Sequence, residues 1–424
     1  MAGTAPAGAG RYVGGVTRAD THRAVEAVWR IEAGRVIAGV ARLVGDVGLA
    51  EELAQDALLA ALEQWPAEGV PRNPGAWLMT TAKRRAIDQI RRRERFAARM
   101  PDLLLPDTVE GEFDAVVEDT IEDDLLRLIF TACHPVLGPE ARVALTLRML
   151  GGLSTDEIAR AFLVPGATVG QRISRAKKTL AEAKVPFEVP DGAARTERLA
   201  SVLEVIYLIF NEGYSATAGD DWMRPALCEE AMRLGRVLAG LMPGEAEVHG
   251  LVALMEIQAS RSAARTGPSG EPVVLLEQDR GRWDRLLIRR GLAALDRAEE
   301  LGGGTYTLQA AIAACHARAA TAADTDWHRI AELYARHPPS PVVELNRAVA
   351  VAMADGPAAG LAVLDPLLDE PSLRSYHLLP TVRADLLLKL GRRDEARAEF
   401  ERAAAMTRNE AERGLLLARA EGCR

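Results

Sequence analysis

The chain has 424 residues, 52 Lys or Arg against 60 Asp or Glu, and a formal net charge of -8. That length allows roughly two to four domains with ample core, but the acidic balance excludes a uniformly cationic nucleic-acid binder, so any DNA-binding part has to be local. Cys133, Cys228, Cys315 and Cys423 are too scattered for a metal motif, and no apolar run approaches a membrane span; reduced thiols, a cytoplasmic location and no metal, cofactor or membrane contact are expected.

The chain opens with "MAGTAPAGAGRYVGG", small residues without the apolar core of a signal peptide, and 1–19 is expected to be a disordered tail. In "GDVGLAEELAQDALLAALEQW" (Gly45 to Trp65), Glu51, Glu52, Gln55 and Asp56 lie on successive turns of one helix. That face suits a charged protein partner, or is an ordinary wet helix face.

From Pro74, "PGAWLMTTAKRRAIDQIRRRER" predicts a helix with Met79, Ala82, Ala86 and Ile90 on its inner stripe. Lys83, Arg84, Arg85, Arg91, Arg92 and Arg95 crowd its other faces. Asp88 stands four residues from both Arg84 and Arg92, where i,i+4 pairing would fix them. A cationic stripe matched to phosphate is preferred over a solvated face laced with salt bridges.

The next segment reverses the sign. Ten acidic residues and no Lys or Arg lie between Asp102 and Asp124, after Pro101 and with Pro106 among them. Residues 98–120 read as a flexible, self-repelling linker that regains helix near Glu118.

In "LSTDEIARAFLVPGATVGQRISRAKKTL" (Leu153 to Leu180), Ser154 and Glu157 form a capping box, and Ile158, Ala159 and Phe162 a short apolar face. "VPG" breaks that helix, and a second begins near Ala167 with Val169, Ile173, Ala176 and Leu180 inward. Thr168, Gln171, Ser174, Arg175 and Lys178 fall on the opposite face, with Arg172 and Lys177 on its flanks. This is the helix-turn-helix pattern, in which Arg and Gln reach base edges while Lys, Ser and Thr suit phosphates. A solvated hairpin with a cationic face is the bland alternative.

Residues 188–424 are Ala- and Leu-rich with helical periodicity, and hold 35 Asp or Glu against 28 Lys or Arg. Gly391, Ala396, Phe400 and Ala403 have the second-helix spacing of a tetratricopeptide repeat (TPR), and hairpins starting near Tyr306, Val342 and Tyr376 recur at about 34 residues. One stretch stands apart, "NEGYS", comprising Asn211, Glu212, Gly213, Tyr214 and Ser215. Without clustered His, Cys or metal-ligand spacing, it reads as a capped helix end or docking surface rather than a catalytic site.

With these motifs in order, residues from about 20 to 185 resemble a bacterial sigma factor of the extracytoplasmic-function (ECF) group. The Gly45 to Trp65 segment looks like region 2.2, the Pro74 helix like the one that meets the -10 element, and the helix-turn-helix like region 4, which meets the -35 element. The chain departs from the group at Lys83-Arg84-Arg85, where "ARN" is common, and at Ala167 to Ile173, where "GTVKSRL" is common. The resemblance implies core RNA polymerase and promoter DNA as partners: Glu51, Glu52, Gln55 and Asp56 toward polymerase, the cations of the Pro74 helix toward the -10 element, and Thr168 through Lys178 toward the -35 element. It makes "WPAEGVPRNPG" (Trp65 to Gly75) a candidate pocket for an extruded base. "IYLIFNEGYSA", "LLEQDRGRWD" and "YHLLPTVRADLLLKLGR" are further similar to the C-terminal extension of the ECF42 subgroup, which implies regulation in cis through an intramolecular contact with the sigma domains, Asn211 to Ser215 at or near it.

The expected architecture is all-α: a region 2 helical domain (20–97), an acidic linker (98–120), a region 4 helix-turn-helix domain (121–187) and a helical TPR-like extension (188–424). The expected function is promoter-specific transcription initiation, not enzymatic. The alternatives are a non-sigma helix-turn-helix regulator with a TPR-like sensor domain, or an enzyme with its site at residues 211–215.

Overall fold

The structure is a computed structural model that describes residues 18–97, 118–162, 164–215, 223–267, 273–407 and 410–423. The expected tail and most of the expected linker lie outside the described residues. Among those described, the fold is all-α, without a strand. It divides into two compact units, the first ending at Val202, the second running from Leu203 and including Arg160–Leu163.

In the first unit the leading helices are α1 (Arg18–Val44), α2 (Val47–Glu68) and α3 (Pro74–Ala97), followed by α4 (Glu118–Ala132) and α5 (Pro139–Met149). The helix-turn-helix is α6 (Thr155–Phe162) and α7 (Gly166–Glu182), and α8 (Gly192–Tyr214) begins in this unit and ends in the other. Helix α1 is the spine: α2, α3 and α4 all pack on it, burying Trp29, Val36, Ile37, Val40 and Ala41. Asp46 starts α2 by accepting the amides of Gly48 (2.7 Å) and Leu49 (3.0 Å), the orphan donors of a first turn. The inner stripe of α3 is Leu78, Ala82 and Ala86, all fully buried, while Met79 and Ile90 are only half-buried; the expected stripe was set one residue off at its start.

The α5–α6 connection turns on Gly152, whose φ of +64° is a left-handed conformation that side chains avoid. A Cβ there would also stand 3.3 Å from the Trp29 carbonyl, the Arg30 Cα and the Ala33 Cβ, so the glycine lets this connection lie directly on α1.

The second unit contains α9 (Pro225–Leu241), α10 (Ala246–Ala259), α11 (Arg285–Glu300), α12 (Thr305–Arg318), α13 (Trp327–Ala335), α14 (Pro341–Asp355), α15 (Pro357–Leu364), α16 (Leu378–Lys389), α17 (Arg393–Met406) and α18 (Glu410–Glu421). Helices begin at Thr305, Pro341 and Leu378, close to the hairpin starts expected at Tyr306, Val342 and Tyr376. One core gathers Trp283, Ile288, Leu295, Ala314 and Ile330; another gathers Leu345, Leu364, Leu387, Phe400 and Ala403. Long-range polar contacts join the helices. Glu247 of α10 accepts the Tyr306 and Thr307 amides at 2.9 and 3.2 Å, capping α12 where Gly304 offers no side chain. Buried Glu256 takes Arg236 at 2.8 Å and Arg290 at 3.1 Å.

Candidate nucleic-acid interface

The helix-turn-helix is built from the capping box upward. The Ser154 amide donates to Glu157 Oε2 at 2.8 Å and the Glu157 amide to Ser154 Oγ at 3.2 Å, satisfying two donors reciprocally at the start of α6. On α7, Val169, Ile173, Ala176 and Leu180 are buried. Thr168, Gln171, Ser174, Arg175 and Lys178 are exposed on the opposite face. The two flanking cations differ from these: Arg172 is paired with Glu140 of α5, and Lys177 with Glu51 of α2. A shallow cavity of about 310 Å³ runs beside the outer face, with Val136, Leu137 and Ala141 on one wall and Gln171, Arg172 and Arg175 on the other.

Helix α3 carries the second cationic surface. Arg84, Arg91, Arg92 and Arg95 are exposed, the last with its Nε donating to the Arg91 carbonyl at 3.1 Å. Asp88 is exposed, and among the described contacts it pairs with neither Arg84 nor Arg92; Arg85 instead reaches Asp56 of α2 at 3.2 Å. Lys83 turns inward, and burial, with Arg42 beside it, lowers its amine below the ordinary lysine range. The end of α2 and the α2–α3 connection expose residues 67–70 and 72–73, while Trp65 is buried, its ring edge-to-face with Trp77 at 5.4 Å.

The four acidic and amide residues of α2 do not share one environment. Glu52 is exposed and Gln55 and Asp56 are half-buried, but Glu51 is 4% exposed. Its carboxylate accepts Arg148 Nε of α5 at 2.9 Å and is also bonded by the Lys177 amine. Nothing in the local pattern of α2 or α5 pairs those positions. Arg148 interrupts the apolar run "VALTLRML", and a charge inside a buried helix is the one sequence sign of a partner there.

The "NEGYS" segment ends α8 in the second unit. A Cβ on Gly213 would lie 2.6 Å from the Cys228 amide nitrogen and 2.9 Å from its Sγ, so only glycine lets α8 and α9 meet there. Glu212 pairs with Arg224. The Arg265 guanidinium sits 3.5 Å from the centre of the Tyr214 ring and is hydrogen-bonded to its carbonyl. Asn211 and Ser215 are exposed.

The first half of α8 belongs to the first unit and is anchored by buried polar contacts. Ser201 Oγ donates to the Cys133 carbonyl at 2.6 Å and accepts from Arg142. Arg198 donates to the Phe130 carbonyl at 3.0 Å and lies over the Phe130 ring. Burial pushes the neighbouring Cys133 thiol up to about 11.

The sequences of α3 and of the helix-turn-helix have counterparts among known proteins. Residues 30–96 match the model of Sigma-70 region 2, and residues 127–180 that of Sigma-70 region 4. The chain is 27% identical over 177 residues to the probable ECF RNA polymerase sigma factor SigI of Mycobacterium tuberculosis, covering 41% of this chain and 60% of that one. It is 29% identical over 162 residues to ECF RNA polymerase sigma factor SigL of the same species, covering 38% and 83%.

The chain is an ECF-type sigma factor.

Region 2 of this sigma factor is thus α1–α3 and region 4 is α4–α7. Beyond them, residues 198–299 match a family of unknown function, DUF6596. The sigma factor is 45% identical over 380 residues to an uncharacterized protein of Rhizobium meliloti, covering 88% of this chain and 89% of that one, so the likeness extends well past the sigma regions. No solved structure matches it. No helix among the described residues is long and apolar enough to cross a membrane.

Proposed function

We propose that this sigma factor is of the ECF42 type and directs promoter-specific initiation under control, in cis, of its TPR-like helical extension. Glu52, Gln55 and Asp56 present the accessible part of the polymerase-facing surface, with Glu51 joining them when released from its partners. Arg84, Arg91, Arg92 and Arg95 follow phosphates near the -10 element, with Lys83 and Arg85 on the margin. Gln171, Arg172 and Arg175 read -35 base edges while Thr168, Ser174, Lys177 and Lys178 meet phosphates. The sigma factor works in the cytoplasm, where polymerase is.

The observation that carries the cis reading is helix α8. Its first half, through Arg198 and Ser201, is hydrogen-bonded into region 4, and the same helix continues without a break to Tyr214, inside the DUF6596 match. One helix therefore carries both the residues bonded to region 4 and the start of the DUF6596 match. The Asn211 to Ser215 segment closes α8 on α9 and transmits this link into the extension.

Truncation after Val202 tests it, because that cut keeps Arg198, Ser201 and the buried Leu199 and Val202 on region 4. The truncated chain is expected to bind core polymerase but lose most transcript from the cognate promoter. Transcription equal to the full chain's would remove the cis role.

A further inference from the structure

The second unit holds a cluster of cations that neither polymerase nor DNA contact accounts for. We propose that Arg261, Arg265 and Arg280, with Trp283 and His316, form a binding site for a small phosphate-type oxyanion in the extension. The site lies within the second unit and goes beyond the cis reading: phosphate either binds there or does not, whatever the extension does to transcription.

Short turns bring the cations together. Arg261 and Arg265 flank the 3-10 turn Ser262–Ala264, which packs on a second such turn, Arg280–Arg282. The Asp284 amide donates to the Ser260 carbonyl at 2.8 Å and ties the two segments. The guanidinium of Arg265 lies 3.5 Å, and that of Arg261 5.9 Å, from the centre of the Tyr214 ring. Arg280 lies 4.9 Å from the centre of the Trp283 ring. It also donates to the His316 carbonyl, to the Ala319 carbonyl at 2.8 Å and to Thr325 Oγ1 at 3.2 Å, which brings the end of α12 into the group. Tyr214 belongs to "NEGYS", and Arg280 and Trp283 to "LLEQDRGRWD", so two stretches far apart in the chain meet here.

Guanidiniums buried side by side are costly unless an anion compensates them. Among the described contacts, the acceptors of Arg261 and Arg280 are neutral: Gln258 Oε1 for the first, two carbonyls and a hydroxyl for the second. The uncompensated field is felt nearby. Burial, with Arg261 and Arg280 beside it, holds the His316 imidazole down at about 4. Arg261 Nε, Arg280 Nε, Trp283 Nε1 and His316 Nδ1 are buried and lack a hydrogen-bond partner among the described residues. Arg280, Trp283 and His316 are only 7%, 3% and 8% exposed, whereas Arg261 and Arg265 are half-buried and give an anion its way in.

The chemistry selects the ligand. Guanidinium forks match the paired oxygens of an oxyanion, and three cations suit a dianion better than a monoanion. The indole and imidazole nitrogens add neutral donors. Phosphate or a phosphomonoester meets all of these, and its binding would offset the repulsion and stabilise the extension by mass action.

Calorimetric titration of the full-length protein in chloride buffer of matched ionic strength tests the site, with inorganic phosphate in one arm and glycerol 3-phosphate in the other. Saturable binding of one equivalent per chain is expected, with a rise of several degrees in melting temperature. Tighter binding of phosphate marks a site for the free ion; tighter binding of the ester marks one for a phosphorylated small molecule. Arg261→Gln should weaken binding at least about tenfold, while Arg289→Gln, exposed on α11, should bind as wild type does. In chloride alone Arg261→Gln should melt no lower than wild type, because removing one of several like charges relieves repulsion. A purely structural arginine gives the opposite result. Absence of saturable binding in both arms, equal binding by wild type and Arg261→Gln, or an Arg261→Gln variant that melts well below wild type in chloride would each overturn the proposal.

Discussion

Replacing Ser201 with Ala removes one hydroxyl and two buried hydrogen bonds. The hydroxyl donates to the Cys133 carbonyl at 2.6 Å and accepts from Arg142, which is 7% exposed. A hydrogen bond to a charged group contributes about 1.5–3 kcal/mol, and leaving a buried partner unmatched adds to its loss, so about 2 kcal/mol is a conservative cost. If the first half of α8 detaches from region 4 as a local unit, that cost appears as easier opening of this segment. Every 1.4 kcal/mol is about tenfold, so amide exchange across residues 196–202 should accelerate roughly thirtyfold. Hydrogen exchange read by mass spectrometry on the full chain measures it directly. Glu197→Ala, at an exposed position on the same helix, is the control and should leave the rates alone. Unchanged exchange in Ser201→Ala would refute the claim that this hydroxyl anchors α8.

Within region 4, Gln171→Ala should cost about 1–3 kcal/mol at one -35 base and relax the preference there, measured by binding-site selection on holoenzyme. Lys178→Ala should weaken all promoters alike and lower the salt slope by about one, as expected of the phosphate contact proposed for it. Gly213→Ala should destabilise the extension by about 1–3 kcal/mol or more, since its Cβ meets backbone that cannot rotate away; thermal unfolding equal to wild type would contradict the packing role. His316 is buried, and desolvation, with Arg261 and Arg280 near, lowers its imidazole to about 4. The unfolded chain therefore binds an extra proton between about pH 4 and pH 6.5, so the stability of the extension should fall as pH falls through that window, and His316→Gln should flatten the fall.

The elements that were legible in the sequence are those in which local chemistry decides. The inward stripe Val169, Ile173, Ala176 and Leu180 follows from helical spacing alone, and the capping box from two residues three apart. The α3 stripe was misplaced by one residue because packing against α1 admits Leu78 to the core, leaving the end of the Met79 side chain against Gly39. The expected pairing of Asp88 gave way to a tertiary contact, Arg85 with Asp56. The environment of Glu51 was not legible on α2 itself, and only Arg148 inside an apolar run hinted at a partner. Its partners lie 97 and 126 residues away, and an exposed acidic face and a buried triad are the same letters on α2. The role of Gly213 was hidden for a similar reason: its need is set by the Cys228 backbone on another helix.

The measurement that tests the central claim most directly is run-off transcription with purified full-length protein, purified core RNA polymerase and a library of bacterial promoter fragments. The account predicts transcripts that require both proteins and start a fixed distance downstream of paired -35 and -10 elements, with output reduced by Glu52→Arg or Asp56→Arg. Protection of isolated DNA by the protein alone, with no core-dependent transcript from any fragment, would contradict it.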